Sequence, residues 1–205
     1  MTAARRRDAR PRRRIQSSMD TLSLARFDRT LALPTGERVR IRPIRPEDEP
    51  RLSELYDRSS HDTRYQRFFT VMRRLPPDWA RFLANVDYDR RFALVVEDLT
   101  ARSTSLIGVA RYEPVEEGLA EVAFVVEDRW QGKGLGTLLI TELFRAAAEN
   151  GITRFRAVVL ADNRRMLAVF ARHADVLERR LEQGVVELTL APKDYRPPRT
   201  VSTGQ

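Results

Sequence analysis

Residues 121–151 read EVAFVVEDRWQGKGLGTLLITELFRAAAENG and contain the features that decide the fold. The apolar, β-branched run at 122–126 predicts a buried strand. Apolar residues at three- and four-residue steps from Leu135 predict an amphipathic helix, and Gly151 follows its expected end, where a left-handed residue often terminates a helix. Three glycines, at 132, 134 and 136, therefore separate a predicted strand from the N-terminus of a predicted helix.

The loop between these two elements is suited to bind an anion. The first amides of a helix have no acceptor within it, and the helix dipole adds partial positive charge there. Glycines let main-chain N–H groups approach a ligand closely, so we expect a pyrophosphate cradle. Gly134 stands where a phosphate-loop NTPase would need Ser or Thr after Lys133, which argues against that class. The dinucleotide pattern GxGxxG fits only in part, because Thr137 occupies its third glycine position.

The loop QGKGLG at 131–136 is similar to the Q/R-x-x-G-x-G/A signature with which GNAT N-acetyltransferases bind acetyl-coenzyme A. The order of predicted elements resembles that family over residues 37–191. The runs RPIRPED at 42–48 and RYQRFF at 64–69 resemble the catalytic domain of bacterial protein-lysine acetyltransferases of the Pat type. The resemblance implies an α/β fold, with a mixed sheet of about seven strands that is parallel at its central pair and flanked by helices.

The resemblance also implies how acetyl-CoA is held as a co-substrate. Loop amides would bind its pyrophosphate, and the central strand's backbone would pair with the pantetheine arm as an added strand does. Lys133 or Arg129 would meet the adenosine phosphate, and an Asn at the next helix start would contact the coenzyme. The expected cofactor-binding residues are Phe124, Val125, Val126, Gln131, Gly132, Lys133, Gly134, Leu135, Gly136, Thr137 and Asn163.

Acetyl transfer to an amine needs a base, because a lysine amine has a pKa near 10.4 and is protonated at neutral pH. Glu121 is the expected base. It opens the central strand in a segment that resembles the family's catalytic-glutamate strand, and an apolar cleft would raise a carboxyl pKa towards the working range. Two alternatives stay open: Glu117 is the base, or Glu121 is only the exposed start of a strand.

The sequence departs from the GNAT pattern at Phe170. Many GNAT enzymes place a tyrosine seven residues after the Asn that corresponds to Asn163, and that tyrosine protonates the departing thiolate. Phe170 cannot donate a proton. Solvent or a backbone amide would then act instead, or the protein is slow or inactive. We therefore expect an N-acetyltransferase acting on a protein lysine, the alternatives being transfer to a small-molecule amine and a non-catalytic acetyl-CoA-binding regulatory protein.

The amino-acid composition excludes several classes of protein and of binding site. The 205-residue chain is 42% hydrophobic, enough for one well-buried domain. It has no cysteine and two histidines, which excludes disulfides and thiolate metal sites and argues against zinc, so we expect no metal. We find no apolar run of the roughly 18 residues that a membrane span needs and no secretory signal. The expectation is a cytoplasmic protein with no membrane contact.

Positive charge is concentrated at the N-terminal end of the chain. Residues 1–30 hold nine arginines against three aspartates, and we predict a disordered basic arm there, a GNAT acetyltransferase domain at 31–192 and a flexible tail at 193–205. The arm would make weak nucleic-acid contacts through phosphate neutralisation, or it is an inert tail. Neither the oligomeric state nor the identity of the amine acceptor follows from the sequence.

Overall fold

The computed structural model describes residues 24–70, 72–100 and 104–193. Its strands are β1 (Arg29–Ala32), β2 (Arg38–Pro43), β3 (Phe92–Asp98), β4 (Ser105–Glu116), β5 (Leu119–Val126), β6 (Arg154–Leu160), β7 (Ala174–Glu182) and β8 (Val185–Pro192). Its α-helices are α1 (Glu49–Arg58), α2 (His61–Phe68), α3 (Pro77–Ala84), α4 (Leu135–Glu149) and α5 (Arg164–His173), and short 3-10 helices occupy Pro46–Asp48 and Asp128–Trp130.

The strands form one mixed sheet in the order β1-β2-β3-β4-β5-β6-β8-β7. Every neighbouring pair is antiparallel except β5 and β6, which are parallel and are joined through α4. The predicted central parallel pair is therefore confirmed. In the described part of the chain the sheet has eight strands rather than about seven, because the short β1 pairs with β2 over four residues.

The parallel pair separates halfway along its length. The register of β5 with β6 runs from Leu119 opposite Arg154 to Val122 opposite Ala157, while β5 continues to Val126 and β6 to Leu160. On its other side β5 stays paired with β4 as far as Val126. Beyond Val122, the edge of β5 that faces β6 has no partner among the described strands, and a cleft opens there.

Helices cover both faces of the sheet. On one face α4 contributes Leu135, Leu139, Ile140 and Leu143 to a core that includes Phe92 and Tyr112. On the other face α1 and α3 pack through Leu55 and Ala84, among others, against Val95 and Leu106. All seven residues of β3 are buried, as expected for a strand covered on both faces.

The folded unit begins earlier than residue 31. Phe27 is fully buried and packs edge-to-face on Phe92, with ring centroids 5.5 Å apart. Residues 24–30, assigned above to the basic arm, therefore belong to the folded unit, because this aromatic ring completes the core. Residues 1–23 of the predicted arm and 194–205 of the predicted tail lie outside the described residues. Among the helices described, none is both long and apolar enough to cross a bilayer.

Candidate functional site

A cleft of about 980 Å³ occupies the gap between the separating strands. Its walls come from β5, the glycine loop, β6 and the facing helices α2 and α5. Of the residues predicted to bind the coenzyme, the cleft is lined by Phe124, Val125, Val126, Gln131, Gly132, Gly134, Gly136, Thr137 and Asn163. Leu135 is buried in the core instead, so only its main chain is available, and Lys133 points elsewhere.

The glycine loop has the backbone geometry of an anion cradle. Gly132 and Gly134 adopt φ values of +76° and +93°, which side-chain-bearing residues rarely reach. The first hydrogen bond of α4 runs from the Leu138 amide to the Gly134 carbonyl at 3.0 Å, so the amides of 135–137 have no acceptor within the helix. The first turn of α4 carries no acidic side chain. Main-chain donors and the helix dipole therefore both favour a phosphate here.

A network of polar side chains holds the loop against α2. The Asp128 carboxylate accepts hydrogen bonds from the Ser60 amide at 2.8 Å, from Ser60 Oγ at 2.6 Å and from Thr63 Oγ1 at 2.8 Å. Burial opposes ionisation, but these hydrogen bonds outweigh it and lower the pKa of Asp128. Gln131 Nε2 donates to Thr63 Oγ1 at 3.1 Å and to the Val126 carbonyl at 3.0 Å. The Gln131 side chain thus braces the loop.

Asn163 connects the same region to α5. Its Oδ1 accepts from the Met166 amide at 3.1 Å and caps the helix, while its Nδ2 donates to Gln66 Oε1 at 3.2 Å. Arg165 donates to Gln131 Oε1 at 3.0 Å. Side chains from α2, the glycine loop and α5 therefore meet around the outer end of the cleft, and this fixes its width.

The two cations expected to meet the adenosine phosphate are engaged with carboxylates. Lys133 pairs with Glu37, and hydrogen bonds from Lys133 and Thr35 lower the pKa of Glu37 to about 2. Arg129 pairs with Glu127 at 2.6 Å. The cleft is lined instead by Arg164 and Arg165, two cations to which no role was predicted. Their position in the sequence could have indicated this role, since both directly follow Asn163, a residue expected to contact the coenzyme.

Glu121 lies where the cleft meets a second cavity, in a more polar setting than predicted. Its side chain is 41% exposed and accepts a hydrogen bond from Arg156 Nε at 3.0 Å, in addition to an ion pair with Nη2. The prediction that Glu121 lies in an apolar, desolvated cleft is therefore wrong, because Arg156 lies directly opposite Glu121 in the β5–β6 register. The alternative base, Glu117, is exposed in the turn between β4 and β5 and does not line the cleft.

The second cavity, called the side pocket below, has a volume of about 350 Å³. It shares five lining residues with the cleft, so the two spaces are continuous. Two exposed aromatic side chains, Trp79 at 47% and Phe82 at 55%, stand at this pocket. Its lining residues are Arg67, Phe68, Trp79, Phe82, Leu83, Arg111, Glu113, Glu121 and Ala123. Sequence reasoning assigned a role here only to Glu121.

Phe170 forms part of the apolar wall of the cleft. It is fully buried and packs edge-to-face on Phe124, with ring centroids 5.8 Å apart. No tyrosine lines the cleft among the residues that the structure describes. The position at which many relatives carry a hydroxyl is therefore a packing position in this chain.

Three comparisons identify the family. The family description "Acetyltransferase (GNAT) domain" matches residues 38–173. The chain is 35% identical to the acetyltransferase PA5475 of Pseudomonas aeruginosa over 139 residues, which cover 66% of this chain and 73% of that protein. It is 36% identical to the acetyltransferase Pat of Mycolicibacterium smegmatis over 169 residues, or 80% of this chain and 49% of Pat.

Among solved structures, the GNAT domain of S. lividans PAT is similar, with a TM-score of 0.73 and 31% identity over 82% of this chain and 98% of that one. The matched segment at 38–173 contains the cleft, the glycine loop and Glu121. An open strand edge and a cradle of free amides also fit a coenzyme with a pantetheine arm and a pyrophosphate. The protein belongs to the GNAT family of acetyl-CoA-dependent N-acetyltransferases.

Proposed function

We propose that this acetyltransferase modifies the side-chain amine of protein lysines. The observation that carries the proposal is the continuity of the coenzyme cleft with the side pocket, with Glu121 at their junction. Exposed Trp79 and Phe82 give the pocket entrance an apolar rim of the kind that protein partners contact. The resemblance to Pat-type enzymes over 80% of this chain supports the same acceptor class.

In the proposed complex, the coenzyme lies along the unpaired edge of β5. The side of β5 that faces β6 has no strand partner at 124–126 among the described strands, because β6 has diverged there, and an added pantetheine arm would pair along this edge, next to the Val126 carbonyl that Gln131 binds. The amides of Gly134 to Thr137 face the pyrophosphate, and Arg164 adds positive charge nearby. These contacts place the thioester near Ala123, next to the side pocket.

Acetyl-CoA supplies an activated acetyl group as a thioester. Glu121 accepts the proton that the attacking lysine nitrogen loses, and Arg156 fixes the orientation of the carboxylate. A carbon–nitrogen bond forms while the carbon–sulfur bond breaks, and the electron pair leaves with sulfur. Since no tyrosine lines the described part of the cleft, we propose that solvent protonates the thiolate.

A second candidate acceptor is a small-molecule amine, which the volume of the side pocket favours. A space of about 350 Å³ is large enough to enclose a small amine entirely. Such an acceptor would need no contact with the exposed aromatic rim, and this separates the two candidates experimentally.

The test is acetyl transfer from isotopically labelled acetyl-CoA to a purified acyl-CoA synthetase, the acceptor that the Pat-type resemblance implies, and to a panel of small amines. Mass spectrometry locates the acetylated lysine. We expect transfer to the protein, reduced by Trp79→Ala and Phe82→Ala and abolished by Glu121→Gln. Transfer to small amines without acetylation of any protein lysine would contradict the lysine proposal and favour the second candidate.

A further inference from the structure

Arg67 is a charged side chain at the centre of the site that forms no ion pair with a carboxylate of the described residues. It lies in the last turn of α2 and lines both the cleft and the side pocket. Its guanidinium makes no hydrogen bond or ion pair with any of the described residues, and it stacks 4.8 Å from the ring centroid of Phe68. Around the side pocket, Arg91, Arg111 and Arg156 each contact a carboxylate.

The charged groups near Arg67 leave its positive charge only partly compensated. Burial, and then the neighbouring charge of Arg111, lower the pKa of Arg67 to about 10, while the charges of Glu121 and Glu113 act in the opposite direction, and the side chain stays protonated at neutral pH. The side chain is half-buried, and none of its nitrogens is among the fully buried, unpaired polar atoms of the described residues, so the guanidinium faces the cavity that a ligand would enter. The arrangement is therefore one that an incoming anion would complete.

The charge balance around the side pocket also favours an anion. Glu113 is shared by Arg91, at 2.6 Å, and by Arg111, while Glu121 is held by Arg156. Both carboxylates of the pocket are thus paired with other arginines, so they offset the charge of Arg67 only in part. The remaining wall of Phe68, Trp79, Phe82 and Leu83 is apolar and limits screening by water.

We propose that Arg67 recognises a carboxylate on the substrate, bound in the side pocket close to the reacting carbonyl. The proposal rests on acyl transfer at this site and names a feature of the substrate class. Guanidinium is suited to this role, because its donors bind a carboxylate in a bidentate fork. The pocket of about 350 Å³ also exceeds what the two-carbon acetyl group would fill.

Two molecules could carry the carboxylate: the acyl group of the coenzyme thioester or the amine acceptor. For a dicarboxylic acyl group the chemistry is unchanged, since the nitrogen–carbon bond forms, the carbon–sulfur bond breaks and the distal carboxylate takes no part. Glu121 accepts the nitrogen's proton in either case. The two sources differ only in which molecule carries the carboxylate that Arg67 binds.

The first arm of the test measures binding of succinyl-CoA and butyryl-CoA by calorimetry. These thioesters have the same four-carbon chain and differ in a terminal carboxylate or methyl group. If the acyl group carries the anion, succinyl-CoA binds about tenfold or more tightly than butyryl-CoA to the wild-type protein. Arg67→Gln removes that preference, Arg67→Lys keeps part of it, and Arg180→Gln, a change at a 78% exposed arginine on β7, keeps all of it.

The second arm compares acetylation of 4-aminobutyrate and butylamine, which also differ by a carboxylate in place of a methyl group. If the acceptor carries the anion, kcat/KM favours 4-aminobutyrate in the wild type and in Arg67→Lys, but not in Arg67→Gln. Thermal unfolding shows whether each variant is folded, and if Arg67→Gln is not, the test is whether Arg67→Lys has a smaller carboxylate preference than the wild type in the same assay.

The absence of a carboxylate preference in both arms overturns the proposal, as does a preference that survives in Arg67→Gln. Equal loss of rate with every acyl group and acceptor in Arg67→Gln also overturns it, because the guanidinium would then act on the reaction itself. Acetyl-CoA binding and lysine acetylation are measured on the same samples. If they persist while both arms show no preference, only this inference fails and the proposed function stands.

Discussion

Two clusters of arginines and carboxylates in this protein differ in how completely their charges are paired. Between β2, the Pro46–Asp48 turn and β3, Arg42 donates to both Asp48 oxygens at 2.7 Å and to Glu97 at 2.7 and 3.0 Å, and all three side chains are buried. At the cleft, Glu121 is paired but partly exposed, and Arg67 faces open space. Complete pairing identifies a cluster that holds the fold together, whereas incomplete pairing identifies one that is available to a substrate.

The largest effect on stability is expected at the buried cluster. Arg42→Leu leaves the carboxylates of Asp48 and Glu97 buried with Arg51 as their nearest remaining cation, so the free energy of unfolding should fall by about 3–5 kcal/mol. Urea unfolding measures the change. The matched control is Arg180→Leu, which removes an exposed charge and should change stability by less than about 0.5 kcal/mol. Equal effects of the two substitutions would contradict the contrast between the clusters.

The next largest effect concerns the glycine loop. Gly134→Glu places a carboxylate in the cradle and forces a side-chain-bearing residue to a φ of +93°, so acetyl-CoA affinity should fall by about 100-fold or more. Gly184→Glu imposes comparable backbone strain at a φ of +81° in the β7–β8 turn, outside the cleft. Calorimetry with both variants separates the loss of the cradle from general destabilisation. Equal affinity in the two variants would show that the loop does not bind the coenzyme.

A smaller effect on the stability of the fold is expected when the pH is lowered. Burial opposes ionisation of Asp48 and Glu97, but hydrogen bonds from Arg42 lower the pKa of both carboxyls below their unfolded values. Their contribution to stability is therefore complete above pH of about 4 and is lost as the pH falls through the folded values. Urea midpoints at neutral pH and at pH of about 3 should show a smaller acid loss in Arg42→Leu than in the wild type. The same acid loss in both proteins would assign the pH dependence to other groups.

The sequence was sufficient for features that depend on nearby residues. The strand, the loop and the helix of 121–151 follow from periodicity and from glycines at fixed positions, and the parallel pair follows from the order of elements. Ser60 directly precedes α2 and caps it, since its side chain accepts a hydrogen bond from the Thr63 amide at 3.2 Å. These features need no knowledge of how distant segments meet.

Charge pairing could not be predicted, because it depends on contacts between segments far apart in sequence. Lys133 was expected to be free for a phosphate, but Glu37, 96 residues earlier, binds it. Arg156 reaches Glu121 only because the β5–β6 register places them side by side. The isolation of Arg67 likewise follows only once α2 packs against β5. A run of charged residues in sequence does not show which charges are paired.

The most direct test of the central claim compares rates of acetyl transfer to the lysine acceptor by Glu121→Gln and Glu117→Gln, both at saturating acetyl-CoA. If Glu121 accepts the proton, its variant should be about 100- to 10,000-fold slower than the wild type with unchanged acetyl-CoA affinity. Glu117→Gln should retain the wild-type rate, because this exposed turn residue lies outside the cleft. A Glu121→Gln enzyme of wild-type speed would contradict the account, and a slow Glu117→Gln would move the base to the turn.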